Sequence, residues 1–208
     1  MSLANTAMRL LRDALTIWPT ATIPAAYIGK LMIGNTPGQE QAPQAITAGL
    51  NLLDTILEHR TESFVSTYLA TLDQAMPNIL TNNLKIVEAF GALLTKLVKA
   101  YPPTPDSPVN SIYAKISDYL TNTFNSEGSW ECPILLLKSI CEQCSSFIVP
   151  ISTAAVKYFI KMVKDYIAPK TPEEMNPTAP NPAAPNVPKK SPRPDTNAIL
   201  TMVNILAK

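Results

Sequence analysis

Cysteine, histidine and glycine are scarce in this 208-residue chain, at three, one and six residues. Three cysteines cannot all pair, and Cys141 and Cys144 stand one helical turn apart. They suit the reduced thiols of an intracellular compartment, cytosol or nucleus, and not a disulfide framework. One Cys-x-x-Cys with a distant His59 lacks the doubled ligand pairs of a zinc site, so Cys132, Cys141 and Cys144 read as buried thiols and no metal is expected. No nucleophile or carboxylate motif surrounds His59, which leaves it without a catalytic setting. The six glycines are isolated, which excludes a phosphate-cradling loop, and no cofactor is expected.

Charge of either sign is also not in excess. The chain has 17 basic and 16 acidic residues, a formal charge of +1, so it offers no general field for nucleic acid or an anionic membrane. Aromatics interleaved with arginine, as single-strand binders need, are missing. No apolar run approaches the roughly 18–20 residues that cross a bilayer. The start, MSLANTAMRLL, carries Arg9 inside an amphipathic pattern and does not read as a secretory signal. Asn-Gly and Asp-Gly turns and sustained apolar/polar alternation are absent, so strands are not expected. Neither direct nucleic-acid binding nor membrane attachment is expected.

What the chain does have is one helical pattern, repeated. In Asn83 to Pro102, NLKIVEAFGALLTKLVKAYP, the residues Leu84, Val87, Gly91, Leu94, Val98 and Tyr101 fall on one helical face. Ile86, Phe90, Leu93 and Leu97 widen it, leaving a polar stripe of Lys85, Glu88, Lys96 and Lys99. Such a helix needs neighbours on both sides. Asn82 is placed to cap it and Pro102 to stop it. Moving back 42 residues from Leu94, Val98 and Tyr101 reaches Leu52, Ile56 and His59; a further 41 reaches Leu11, Leu15 and Trp18; 42 forward reaches Leu136, Ile140 and Gln143. Two apolar positions and a large planar side chain thus recur with the period of two-helix HEAT repeats. The expected fold is all-α, a HEAT-like α-solenoid of about four antiparallel helix pairs plus one extra C-terminal helix.

In order, the pairs span about 4–34, 42–80, 82–124 and 131–167. In the first, Pro19 ends one helix and Gly34 the next. In the second, Thr61 caps the partner helix, Phe64, Tyr68 and Leu72 face inward, and Pro77 closes it. In the third, Ser107 caps and Pro108 opens a helix carrying Ile112, Ile116, Tyr119 and Leu120. In the fourth, a helix with Cys141 and Cys144 precedes a long one from about Phe147 to Tyr166. Ile151, Val156, Phe159, Ile160 and Val163 are set on one side of that helix and Lys157, Lys161 and Lys164 on the other, the wet face. Residues 168–194 hold nine of the 20 prolines and read as a flexible, extended linker. Residues 195–208 return to helical spacing through Ile199, Met202, Val203 and Leu206, capped by Asp195 or Thr196. They read as the first helix of a further repeat in a much larger protein, since solenoid ends normally carry a polar capping repeat.

Other polar groupings carry little. Asp54, Glu58 and Glu62 read as a solvated helix face and not as an acid/base pair. Lys189, Lys190 and Arg193 form only a weak basic cluster, and Pro177-x-x-Pro180 and Pro182-x-x-Pro185 arise from composition. No catalytic, cofactor-binding or metal residue is assigned, and partner-binding residues stay unknown.

The stretches LTIWPTATIPAAYIGKLM, KIVEAFGALLTKLVKAYP and ILLLKSICEQCSSFIVPISTAAVKYFIKMVKDYI, with DTNAILTMVNILAK, resemble a segment of the transformation/transcription domain-associated protein family. The resemblance lies in helical core residues, among them the Trp18-Pro19 helix end and Leu137 to Ser139. It implies an internal HEAT-repeat segment of a very large pseudokinase scaffold of the phosphatidylinositol-3-kinase-related group. It further implies a nuclear setting within SAGA-type histone acetyltransferase complexes. The implied partners are neighbouring repeats of the parent chain, coactivator-complex subunits and transcription activators. The competing classes are a generic HEAT/armadillo-type adaptor, such as a transport or phosphatase scaffold, and an enzyme with an unfamiliar all-helical site.

Overall fold

A computed structural model describes residues 3–18, 22–34, 41–126, 130–168 and 193–207. The helices are α1 (Leu3–Ile17), α2 (Ala25–Met32), α3 (Pro43–His59), α4 (Thr61–Ile79), α5 (Leu84–Ala100), α6 (Asn110–Asn125), α7 (Glu131–Cys141), α8 (Ser152–Ile167) and α9 (Thr196–Leu206). A 3-10 segment, Ser145–Ile151, leads into α8. No strand occurs among the described residues.

Each helix packs on the one two places further along. The odd-numbered helices form one row, α1 on α3, α3 on α5, α5 on α7 and α7 on α9, and the even-numbered helices form a second, α2 to α8. A row grows by translation where a closed bundle would turn back on itself, and this chain is an all-α solenoid of HEAT type. The pattern of α5 explains why. Ile86, Val87, Phe90, Leu93, Leu94 and Leu97 are buried around most of its girth because α3 lies along one side and α7 along the other. A buried leucine of this kind contributes roughly 1.5–3 kcal/mol. Between α6 and α8 the rings of Phe124 and Tyr158 pack 4.7 Å apart.

The recurrent apolar sites Leu15, Leu52, Ile56, Leu94, Val98, Leu136 and Ile140 are buried, and Leu11 packs against the core half-buried. The planar residues that follow them behave differently. Trp18, His59 and Gln143 are exposed and Tyr101 is half-buried, so their spacing marks helix ends and not a packing position. Leu84, set on the inward face by its spacing, is exposed because it opens α5 ahead of the flanking helices.

Several helix ends also differ from expectation. Asn83, not Asn82, caps α5, its Oδ1 accepting from the Ile86 amide at 3.4 Å. Thr61 caps nothing: α4 begins directly after Arg60, and the Thr61 hydroxyl donates to the Leu57 carbonyl at 3.0 Å. Pro77 does not end α4, which continues to Ile79. The α6 helix opens at Asn110, after Ser107 has turned its hydroxyl to the Tyr101 carbonyl. The long helix expected from Phe147 begins only at Ser152, after the 3-10 segment, and α8 buries Ala154, Ala155, Tyr158 and Met162 while Val156 and Ile160 are exposed. Gly34 ends α2 with φ +95°, the left-handed region open to glycine. Asp195 caps α9, accepting from the Ala198 amide at 2.7 Å. Of the expected linker 168–194, residues 169–192 lie outside the described residues.

Candidate interaction surfaces

The polar contacts of the stack run from repeat to repeat. The Tyr68 hydroxyl donates to the Ile23 carbonyl at 2.8 Å and Asn78 Nδ2 to the Met32 carbonyl at 2.9 Å, tying α4 to the chain just before α2 and to the last residue of α2. Tyr101 donates to the Thr61 carbonyl, and Tyr119 to the Thr81 carbonyl at 3.2 Å. These bonds join residues 38 to 46 apart in sequence, one period of the repeat. Burial pushes the Tyr68, Tyr101 and Tyr119 phenols up, which keeps each one a neutral donor.

Two lysines make the same step, and neither was singled out by motif. Lys96 Nζ on α5 reaches Asp54 Oδ2 at 2.9 Å and Glu58 Oε2 at 2.8 Å on α3. Burial works against its ammonium, but the bonds to Glu58 and Asp54 and their charges outweigh it, and its pKa rises. Glu58 is lowered in turn, first by its bond to Lys96 and then by that charge. Lys115 Nζ on α6 reaches Asp73 Oδ2 at 2.7 Å on α4. Both Asp54–Lys96 and Asp73–Lys115 are separated by 42 residues, so the repeat period itself was the signal that could have found them. Asp54 and Glu58 thus belong to a contact between helices and are not merely a solvated face, while Glu62 is exposed in the first turn of α4, where its charge suits the helix dipole.

The candidates for chemistry stay apart. Cys132 is buried in the first turn of α7 and Cys141 is buried at its end; Cys144 stands just before the 3-10 segment, outside the helix in which the spacing placed it. His59 is exposed in the last turn of α3. Among the described residues no three His, Cys, Asp or Glu side chains gather as a metal-holding group, and no helix is long and apolar enough to cross a membrane. Lys157 and Lys164 are exposed on α8 and Lys161 is half-buried. Lys189 and Lys190 and the Pro-x-x-Pro steps lie outside the described residues; Arg193 donates to the Ala168 carbonyl at 2.6 Å. Exposed apolar side chains collect at three places instead: Leu10 and Ile17 on α1 with Trp18 just after it, Val156, Ile160 and Ile167 on α8, and Leu200 and Val203 on α9.

The comparisons agree with a surface built for protein contact. The family model described as the Tra1 HEAT repeat ring region matches residues 1–208. A probable transcription-associated protein 1 from Dictyostelium discoideum is 31% identical over 94 residues, 45% of this chain and 2% of that protein. A transformation/transcription domain-associated protein from Danio rerio is 21% identical over 187 residues, 81% of this chain and 5% of that protein. The chain therefore spans a small fraction of the length of these relatives. No solved structure matches it significantly. With a match running from the first residue to the last and a helical stack of the corresponding type, the chain belongs to the Tra1 HEAT repeat ring family.

Proposed function

We propose that this chain is a non-catalytic scaffold segment of a transcription-associated protein, holding coactivator subunits at set positions in the nucleus. The observation that carries it is the match of the whole chain to the HEAT ring model, joined to a stack whose cross-links each span one repeat. A solenoid of this kind acts by shape: neighbouring pairs share one continuous core, and exposed helix faces and loops are left for partners. The names carried by the relatives speak of transcription; the setting in a SAGA-type or related histone acetyltransferase complex that receives transcription activators is what the family resemblance implies. Affinity capture and cross-linking of the full-length polypeptide from nuclear extract tests it. Acetyltransferase-complex subunits are the expected catch. Recovery of transport or phosphatase subunits in their place would replace this reading with that of a generic adaptor.

A further inference from the structure

We propose that the outward face of α8 is a docking site for an amphipathic helix of another protein, one whose apolar line is bordered by Asp and Glu. Val156, Ile160 and Ile167 are 43%, 49% and 70% exposed. Steps of four and then seven residues set them in one line along the helix. Lys157 and Lys164 border that line, both exposed, and neither takes part in an ion pair among the described residues.

The even-numbered row shows that this line is not a stacking surface. The α6 helix buries Ile112, Tyr113, Ile116 and Leu120; α8 buries Ala154, Ala155, Tyr158 and Met162, the same positions 42 residues on. In that register Val156 and Ile160 correspond to Ala114 and Asp118. Although α6 is flanked by both α4 and α8, Ala114 and Asp118 are exposed. These positions look away from the row, so another helix stacked on α8 would leave them uncovered. Leu200 and Val203 differ: α9 buries one side only where α5, with two neighbours, is buried nearly all round, which makes them part of the stacking surface.

Where α6 offers Ala and Asp to water, α8 offers Val and Ile beside two free ammonium groups. The apolar line supplies contact area for a helix laid along it, and the lysines favour an acidic border and repel a basic one. The proposal relies on the scaffold reading for the existence of a protein partner, but not for the place or chemistry of the contact.

The test places a photo-cross-linker in the full-length polypeptide as Ile160→p-benzoylphenylalanine, with Asp118→p-benzoylphenylalanine as control, and illuminates the complex in nuclear extract. The expected result is a cross-link from Ile160, and none from Asp118, to a peptide of another subunit with Asp or Glu flanking apolar residues at helical spacing. Combining Lys157→Glu with Lys164→Glu is expected to lower its yield about ten-fold. A cross-link to the polypeptide's own chain, to a peptide lacking carboxylates, or to nothing overturns the proposal, as does a yield indifferent to the charge reversal. The co-purifying subunits, assayed alongside, separate that failure from failure of the scaffold reading. All four positions are exposed, and an unchanged denaturation midpoint verifies that the variants fold.

Discussion

Lys115 on α6 donates to the main-chain carbonyl of Asp73 on α4 at 2.9 Å, as well as to its carboxylate. That carbonyl lies four residues before Pro77, which has no N–H to give it, so the neighbouring helix supplies the partner that proline withholds. This is why α4 passes through Pro77 where the residue alone would be read as a stop. Lys115→Met is expected to cost about 1 kcal/mol, discounted for its partial exposure. In a Pro77→Ala background the helix satisfies the carbonyl itself and the cost should shrink. Urea titration of the double-mutant cycle measures the coupling. Equal costs in the two backgrounds would contradict the account.

Gly91 holds α5 close to α7. A β-carbon there would lie 2.8 Å from Ser139 Oγ, while Ser139 Cβ stands at an ordinary 3.8 Å. The Ser139 hydroxyl is engaged with the Leu135 carbonyl at 3.0 Å and has little freedom to swing aside. Gly91→Ala is therefore expected to destabilise by about 1–2 kcal/mol despite alanine's better helix propensity. Adding Ser139→Ala removes the clashing oxygen, and the same Gly91→Ala change should then be neutral or stabilising by chemical denaturation.

Leu94 has no solvent exposure and lies between α3 and α7. Leu94→Ala is expected to cost about 2–5 kcal/mol, whereas Leu84→Ala, at a helix start that is 39% exposed, should cost well under half of that. Comparable midpoint shifts for the two would contradict the core assignment.

The two leucines also show what was legible in advance. Helical spacing carries the buried sites, because one face of a helix is fixed by the angle between residues, and the 42-residue period carries the order of the stack. Spacing is blind to where a helix begins relative to its neighbours, which is why Leu84 was placed inside and is not. It is equally blind to bonds that cross between helices: Asp54 read as solvated until Lys96 was seen to reach it, and Pro77 as a terminator until Lys115 was. On α8, two apolar lines compete and periodicity alone cannot rank them; the line that holds Ala154, Ala155, Tyr158 and Met162 is the buried one, on a helix that packs against α6.

Cys132 gives a chemical test of burial on α7. Burial, with the charges of Glu131 and Glu88 adding to it, pushes its thiol from 9.0 up to about 11. A thiol raised in the folded state contributes stability that is whole below pH 9.0 and is lost as pH climbs toward about 11. The denaturation midpoint should fall over that range, and less steeply in Cys132→Ala. At pH near 8, native Cys132 should resist iodoacetamide until denaturant is added. Rapid native labelling, read by peptide mass spectrometry, would refute its burial.

Lys96 holds two carboxylates that are not equivalent. Asp54 is mostly buried and its Oδ1 already lacks a hydrogen-bond partner, whereas the Glu58 side chain is 59% exposed. Removing the lysine leaves Asp54 with an uncompensated, mostly buried charge, so Lys96→Met should cost about 1–2 kcal/mol. Glu58→Gln should cost less, because water replaces what it loses. The pH profile distinguishes the partners. Glu58 is depressed below 4.5, so its share is present above that value and is lost as pH falls through the lowered one; Lys96 is raised above 10.5, so its share persists below 10.5 and is lost only as pH rises beyond. Glu58→Gln should therefore flatten the acid limb of the stability curve and weaken the alkaline limb too, since the bond to Glu58 is the first of the contacts that raise Lys96. If Lys96→Met instead proved milder than Glu58→Gln, the contact would be a surface pair and not a tie between α3 and α5.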